Sequence, residues 1–153
     1  MKTYPNIKKQ ALRFCSQWAK QRQQAIQKKE THLKEALLGA SKSSAGDKHN
    51  TERAMLQLER EQLGNQLAVL ERDLEVIDRI DPETINDRIH LGSLVYAPNA
   101  IYFICVSAGV FNEDNSQVVA ISSAAPIARA MIGMASGDSF TWQGKQYPIL
   151  AVY

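Results

Sequence analysis

Leu56, Leu63, Leu67, Leu70, Leu74 and Ile77 stand at intervals of seven, four, three, four and three residues, with Glu and Arg among the residues between them. That spacing is the seam of a coiled coil, so residues 52–80 are expected to form a long helix lying against a partner helix. The partner is available in the same chain. Residues 6–43 contain no proline and one glycine, Gly39, and are rich in Gln, Lys, Ala and Leu, which are good helix formers. Ile7, Ala11, Phe14, Trp18 and Ala25 line one stripe of this first helix, and Ile26, Leu33 and Leu37 continue an adjacent one. Between the two helices lies Ser41-Lys42-Ser43-Ser44-Ala45-Gly46-Asp47, all small or polar, then Lys48-His49-Asn50. Two long helices joined by a short turn cover their stripes by folding back, as an antiparallel hairpin. At about 1.5 Å per residue, arms of roughly 30–37 residues reach roughly 45–55 Å, a rod too narrow to enclose a pocket.

Asp81-Pro82 ends the second helix, because proline disfavours helix at the residue before it. Residues 82–90 read as a linker. Beyond them the period changes to that of strands: Leu94–Tyr96, Ala100–Val106 and Val118–Ile121, with Asn112-Glu113-Asp114-Asn115-Ser116 as a turn cluster. Pro126 is placed to open a short helix, Ile127–Ile132, closed by Gly133. Phe140–Trp142 and Tyr147–Val152 form a hairpin around Gln143-Gly144-Lys145. The expected fold class is therefore α+β: a coiled-coil hairpin over 1–81, a linker over 82–90, and a small, mostly antiparallel sheet with one short helix over 91–153. Leu91 to Asn112 carries no charge and is long enough to cross a bilayer. Its Gly92, Pro98-Asn99 and Gly109, and its β-branched and aromatic content, read instead as two buried strands. No membrane partner is expected.

Net charge sharpens the division. The formal total is only +2, but residues 1–46 hold ten basic side chains against two acids, while 47–81 hold nine acids against five bases. Two cysteines, Cys15 and Cys105, with no CxxC between them, predict no disulfide framework and a reducing, cytoplasmic setting. His32, His49 and His90 are scattered singly, so no all-protein zinc site is expected. Neither cysteine has a local histidine, and GxSxG and glycine-rich phosphate loops are absent. A self-contained enzyme, or a cofactor of its own, is not indicated.

Two features admit two readings each. Asp47, Asn50, Thr51 and Glu52 gather at the hairpin tip, where Asp47 or Asn50 caps the second helix and Glu52 suits its dipole. Alternatively, the tip delivers a carboxylate into another molecule's active site, where Asp47 supplies a hard oxygen ligand suited to Mg²⁺. The basic side chains of the first helix, Lys20, Arg22, Lys28 and Lys29 among them, form either a solvated face or a contact with nucleic-acid backbone.

The tip segment Gly46-Asp47-Lys48-His49-Asn50 and the stretch Ser122-Ser123-Ala124-Ala125-Pro126-Ile127-Ala128-Arg129-Ala130-Met131-Ile132-Gly133, behind a long hairpin, resemble the bacterial transcription elongation factors GreA and GreB. Pro126-Ile127-Ala128-Arg129, Ile132-Gly133, Gly137-Asp138 and Val152-Tyr153 fall in that family's order. The resemblance implies an FKBP-like domain that docks on the rim of the RNA polymerase secondary channel, with the loop of Pro126, Ile127, Arg129 and Asp138 as candidate docking surface. It also implies a hairpin that passes down the channel, near nascent RNA, in a monomeric factor. Acidic tip residues would then help hold a second Mg²⁺, shared with the polymerase, whose own active centre cleaves backtracked RNA. Asp47 would assist in trans and ligate metal only in that complex.

The chain departs from the family at two places. Asp47 matches the first tip acid, but the second acidic position is Asn50, which supplies no charge and no base. The serine before Pro-Ile-Ala-Arg is Ala125. Weak cleavage assistance by Asp47 is therefore expected, and the alternative is a regulator that occupies the channel without promoting cleavage. Prolyl isomerisation rests on fold analogy alone. Free-standing RNA binding lacks stacking aromatics on the basic arm apart from Phe14 and Trp18.

Overall fold

A computed structural model describes residues 4–42, 47–113 and 115–153, and their side chains except those of 4, 5, 41, 42 and 47–49. The chain is α+β. Two long helices, α1 (Tyr4–Lys42) and α2 (Asp47–Arg79), precede β1 (Leu94–Tyr96), β2 (Ile101–Cys105), β3 (Gly109–Glu113) and β4 (Ser116–Ser122). There follow α3 (Pro126–Met131), β5 (Ser139–Trp142), β6 (Lys145–Pro148) and β7 (Ala151–Val152). Contacts divide the chain into two compact units: Ala19–Asp73, and Met1–Trp18 with Leu74–Tyr153. The bases of both long helices thus group with the sheet.

In the helical unit the leucine repeat does what its spacing requires. Leu63 and Leu70 are buried, seven residues apart, with Leu56 and Leu67 half-buried. Ile26 and Leu33 are their buried counterparts on α1. Arg22 faces Asp73, while Leu33 and Ala36 line one groove with Leu56 and Leu63, so the two helices run antiparallel.

In the other unit, Ala11 and Cys15 are fully buried on the base of α1, whereas Phe14 and Trp18 of the expected stripe are only half-buried. Ala25, in the helical unit, is exposed. Small side chains occupy the buried line, and the aromatics lie at its margin. Phe14 packs instead against Phe111 of β3, the rings tilted by 35° with centroids 4.8 Å apart.

α2 ends as expected before Pro82. The Asp81 carboxylate accepts from the Glu83 N–H at 3.0 Å, and the Asp81 carbonyl accepts from the Thr84 N–H at 3.2 Å. This Asx turn redirects the chain. The segment 82–90 is tied down: Asn86 and Ile89 are buried, and the Ile89 N–H donates to the Met134 carbonyl at 2.8 Å.

The main sheet has the order β3-β4-β2-β1-β7, and β5-β6 form a separate ribbon. The pairing is mostly antiparallel, as the sequence leads one to expect, but β2 and β4 pair parallel, with Ile101 opposite Val118 and Cys105 opposite Ser122. The cause is β3, a strand whose last two residues fall in the expected turn cluster 112–116. It carries the chain back, Asn115 adopts φ 64°, and β4 re-enters beside β2 in the same direction. The expected strand Tyr147–Val152 is also two pieces. Pro148, which has no N–H to donate, ends β6, and β7 joins β1 with Val152 opposite Val95.

Alternation along the strands gives the sheet two buried faces. Val95, Tyr102, Ile104 and Ile121 meet Ala128 and Met131 of α3, Phe140 of β5, Ile89 and Ile149. Leu94, Phe103, Cys105, Val118 and Ala120 are buried on the opposite face, the side on which Phe111 meets the base of α1. Burial on both sides explains why all five residues of β2 are inaccessible.

Candidate functional site

α3 begins where Pro126 fixes its first turn; Ala125, extended at φ −62° and ψ 142°, offers no side-chain cap. Ala128 and Met131 are buried and Ile127 packs against the same core, while Pro126 and Arg129 are exposed. Spaced three residues apart, these two share a face of the helix. Ile132, just beyond, is 40% exposed. The end of α3 is held from outside: the Gly133 N–H donates to Ile89, and the Arg88 guanidinium donates to the Gly133 carbonyl at 2.9 Å. Gly133 adopts φ 89°, which favours glycine. Arg88 lies in the presumed linker, and nothing in the sequence marked it as a positioning residue.

Asp138 does not pair with Arg129. Its carboxylate accepts from the Ala135 N–H at 2.9 Å, closing the turn before β5, and its backbone binds Ala135 and Ile149. The resemblance residues thus divide by role. Ile127 packs against the core, Asp138 holds a turn, and Pro126 and Arg129 are exposed.

Position 47 is the first residue of α2, but the Asp47 side chain lies outside the described residues, as does the segment 43–46. Asn50 is described and exposed. Because the backbone is helical from 47, positions 47 and 50 share a face and Glu52 is turned about 200° from Asn50. The residue types at these two positions are one acid and one neutral amide. Mg²⁺ takes near-octahedral oxygen coordination and strongly favours charged donors, so the pair does not make a magnesium site by itself. Among the described residues, no three His, Cys, Asp or Glu side chains gather to hold a metal.

Lys20, Arg22, Lys28 and Lys29 are all exposed, but they do not form one surface. Seven residues apart, Arg22 and Lys29 return to nearly the same azimuth, beside the seam, while Lys20 and Lys28 face away from it. Arg22 lies near Asp73, whose carboxyl is pushed up by burial and drawn back by Arg22 and Arg72. Lys29 borders an open groove of about 480 Å³ between the helices, lined also by His32, Leu33, Glu59 and Leu63. The helical unit therefore does carry a cleft, though one of mixed lining.

The aromatics of the sheet unit go to packing. Phe103 and Phe140 are fully buried, and the Tyr102 hydroxyl accepts from Asn99 at 2.7 Å. No described helix is long and apolar enough to cross a membrane.

No protein-family model matches the chain, and no curated protein does. Among solved structures, the crystal structure of the GreA factor homolog 1 (Gfh1) protein of Thermus thermophilus is similar over 93% of this chain and 94% of that one. The sequence identity is 19% and the TM-score 0.33.

Proposed function

We propose that this chain binds bacterial RNA polymerase through its secondary channel and modulates transcription elongation, as an accessory factor rather than an enzyme. The observation that carries the reading is how the segment Pro126–Gly133 divides. Ala128 and Met131 anchor it in the core, and Pro126 and Arg129 stay exposed on one face. A rigidly backed, exposed turn is suited to docking, and its sequence is the part most like GreA and GreB. The antiparallel helical unit, with Asn50 exposed near the start of α2, supplies the second element that such a role requires.

Any RNA cleavage would be performed by the polymerase active centre, with Mg²⁺ held mainly by the polymerase. Asn50 favours a second reading, in which the chain occupies the channel without promoting cleavage. The two separate in one sequence of experiments. Both predict that the tagged chain retains RNA polymerase at moderate salt. Only the first predicts Mg²⁺-dependent shortening of RNA in stalled complexes. Failure to retain polymerase refutes both.

A further inference from the structure

Cys15 and Cys105 are ninety residues apart in sequence, both fully or almost fully buried, and neither is in a disulfide. Cys105 ends β2 on the sheet face turned toward α1, as the alternation with Tyr102 and Ile104 requires. The base of α1 is fixed on that side. Phe14 packs on Phe111, and Gln10, with its amide nitrogen turned toward Glu113, donates to both carboxylate oxygens at 2.6 and 3.1 Å. Cys15 follows Phe14 directly and is fully buried, in the same layer between the base of α1 and the sheet as Cys105. Both thiols are buried in this one layer, where a disulfide requires that the two side chains converge.

We infer that Cys15 and Cys105 form an oxidisable dithiol, which a hydroperoxide converts into a disulfide that fastens the base of α1 to β2. In the first step, the Cys15 thiolate attacks the peroxide oxygen. The O–O bond breaks, the alcohol or water leaves, and a sulfenic acid remains on Cys15. In the second step, the Cys105 sulfur attacks the Cys15 sulfur. The S–S bond forms and water departs with the proton of Cys105, so two thiols and one hydroperoxide give one disulfide, one alcohol or water, and one water. The hydrogen bond from Cys105, opposed by burial, lowers the Cys15 thiol from its ordinary value and assigns it the attacking role. Burial means that the oxidant reaches the pair through local opening at the base of α1, so the reaction is slow but confined to the two partners. In a reducing compartment the pair rests as thiols and is oxidised only transiently.

The test treats the full chain with hydrogen peroxide, then denatures it, alkylates free thiols and maps the peptides by mass spectrometry. Sulfoxide at Met55, 62% exposed, reports that the oxidant acted. The expected result is joint loss of alkylation at both cysteines, a peptide linking residue 15 to residue 105, and full reversal by dithiothreitol. The oxidised chain should also melt roughly 5–10 °C higher. Cys15→Ala and Cys105→Ala should each abolish the intrachain link. The inference is overturned if both thiols survive while Met55 is oxidised, if one cysteine proceeds alone to sulfinic acid, or if only interchain disulfides appear. The wild-type map decides the matter even where a variant misfolds.

Discussion

The Lys8 ammonium donates to the Thr84 carbonyl across 2.6 Å, joining residues seventy-six positions apart, although Lys8 is 1% exposed. A charge so enclosed is disfavoured: burial lowers the Lys8 pKa, and Asp81 only partly opposes this. Between that lowered value and the ordinary 10.5, the unfolded chain binds more protons than the folded one, so the Lys8 contribution to stability rises with pH across that window. Lys8→Met removes the effect. It should lie within about 1 kcal/mol of wild type at neutral pH, since Thr84 is exposed and water can serve its carbonyl. Lys8→Ala, which leaves a cavity, should cost about 2–4 kcal/mol. Urea unfolding at neutral and mildly alkaline pH checks this. Wild type should gain on Lys8→Met as pH rises, and a pH-independent difference between them would sink the argument.

Leu63 and Gly64 are neighbours on α2 with opposite expected responses. Leu63 is 7% exposed in the seam, so Leu63→Ala should destabilise the helical unit by about 2–4 kcal/mol. A Cβ added at Gly64 meets nothing within 4 Å, and the residue is exposed in mid-helix. Gly64→Ala should therefore stabilise by roughly 0.5–1 kcal/mol. Thermal unfolding followed by helical circular dichroism measures both. A destabilising Gly64→Ala would show that this surface is not open.

What the sequence made legible depends on the range over which each signal acts. The α2 seam was readable because Leu63 and Leu70 answer to a local period. The α1 line was readable only in part: Ala11, Ile26 and Leu33 are buried as read, but Phe14 finds its partner in Phe111, far along the chain, and Cys15 takes a buried place beside Ala11. β3 escaped notice as an edge strand, beginning with Gly109, ending in Asn112-Glu113 and exposed at Val110. The parallel pairing of β2 with β4 depends on this strand and so has no local signal of its own. Lys8 sat among basic residues that read as a solvated face, and nothing local distinguishes it from Lys9, which is exposed and pairs with Glu83 at 3.2 Å. At the candidate site, the motif Pro126-Ile127-Ala128-Arg129 was plain, but the turn held by Asp138 and the support from Arg88 depend on tertiary hydrogen bonds.

α3 allows docking and folding to be separated. Arg129→Ala should change stability by less than about 0.5 kcal/mol, because the side chain is exposed, yet weaken retention of RNA polymerase. Ile127→Ala should cost about 1–3 kcal/mol through lost packing against the core. Asp138→Ala should cost about 1 kcal/mol by leaving the Ala135 N–H without its carboxylate. Pull-down and thermal unfolding of the same three preparations supply the comparison. If Arg129→Ala binds polymerase as wild type does, the exposed face of α3 is not the docking surface.

The tip substitutions address chemistry with little interference from folding. Asn50 is exposed in the first turn of α2, where Glu interacts favourably with the positive end of the helix dipole, so Asn50→Glu should leave the fold unchanged or slightly more stable. On the helical backbone it places a carboxylate on the face of position 47, doubling the negative charge available there. Asn50→Glu is expected to increase Mg²⁺-dependent RNA shortening in stalled polymerase complexes, and Asp47→Ala to reduce whatever the wild type supports. Asn50→Gln, which keeps the amide, should behave as wild type. If Asp47→Ala leaves cleavage unchanged and Asn50→Glu adds none while both variants still bind polymerase, the tip has no part in cleavage and the channel-occupying reading stands.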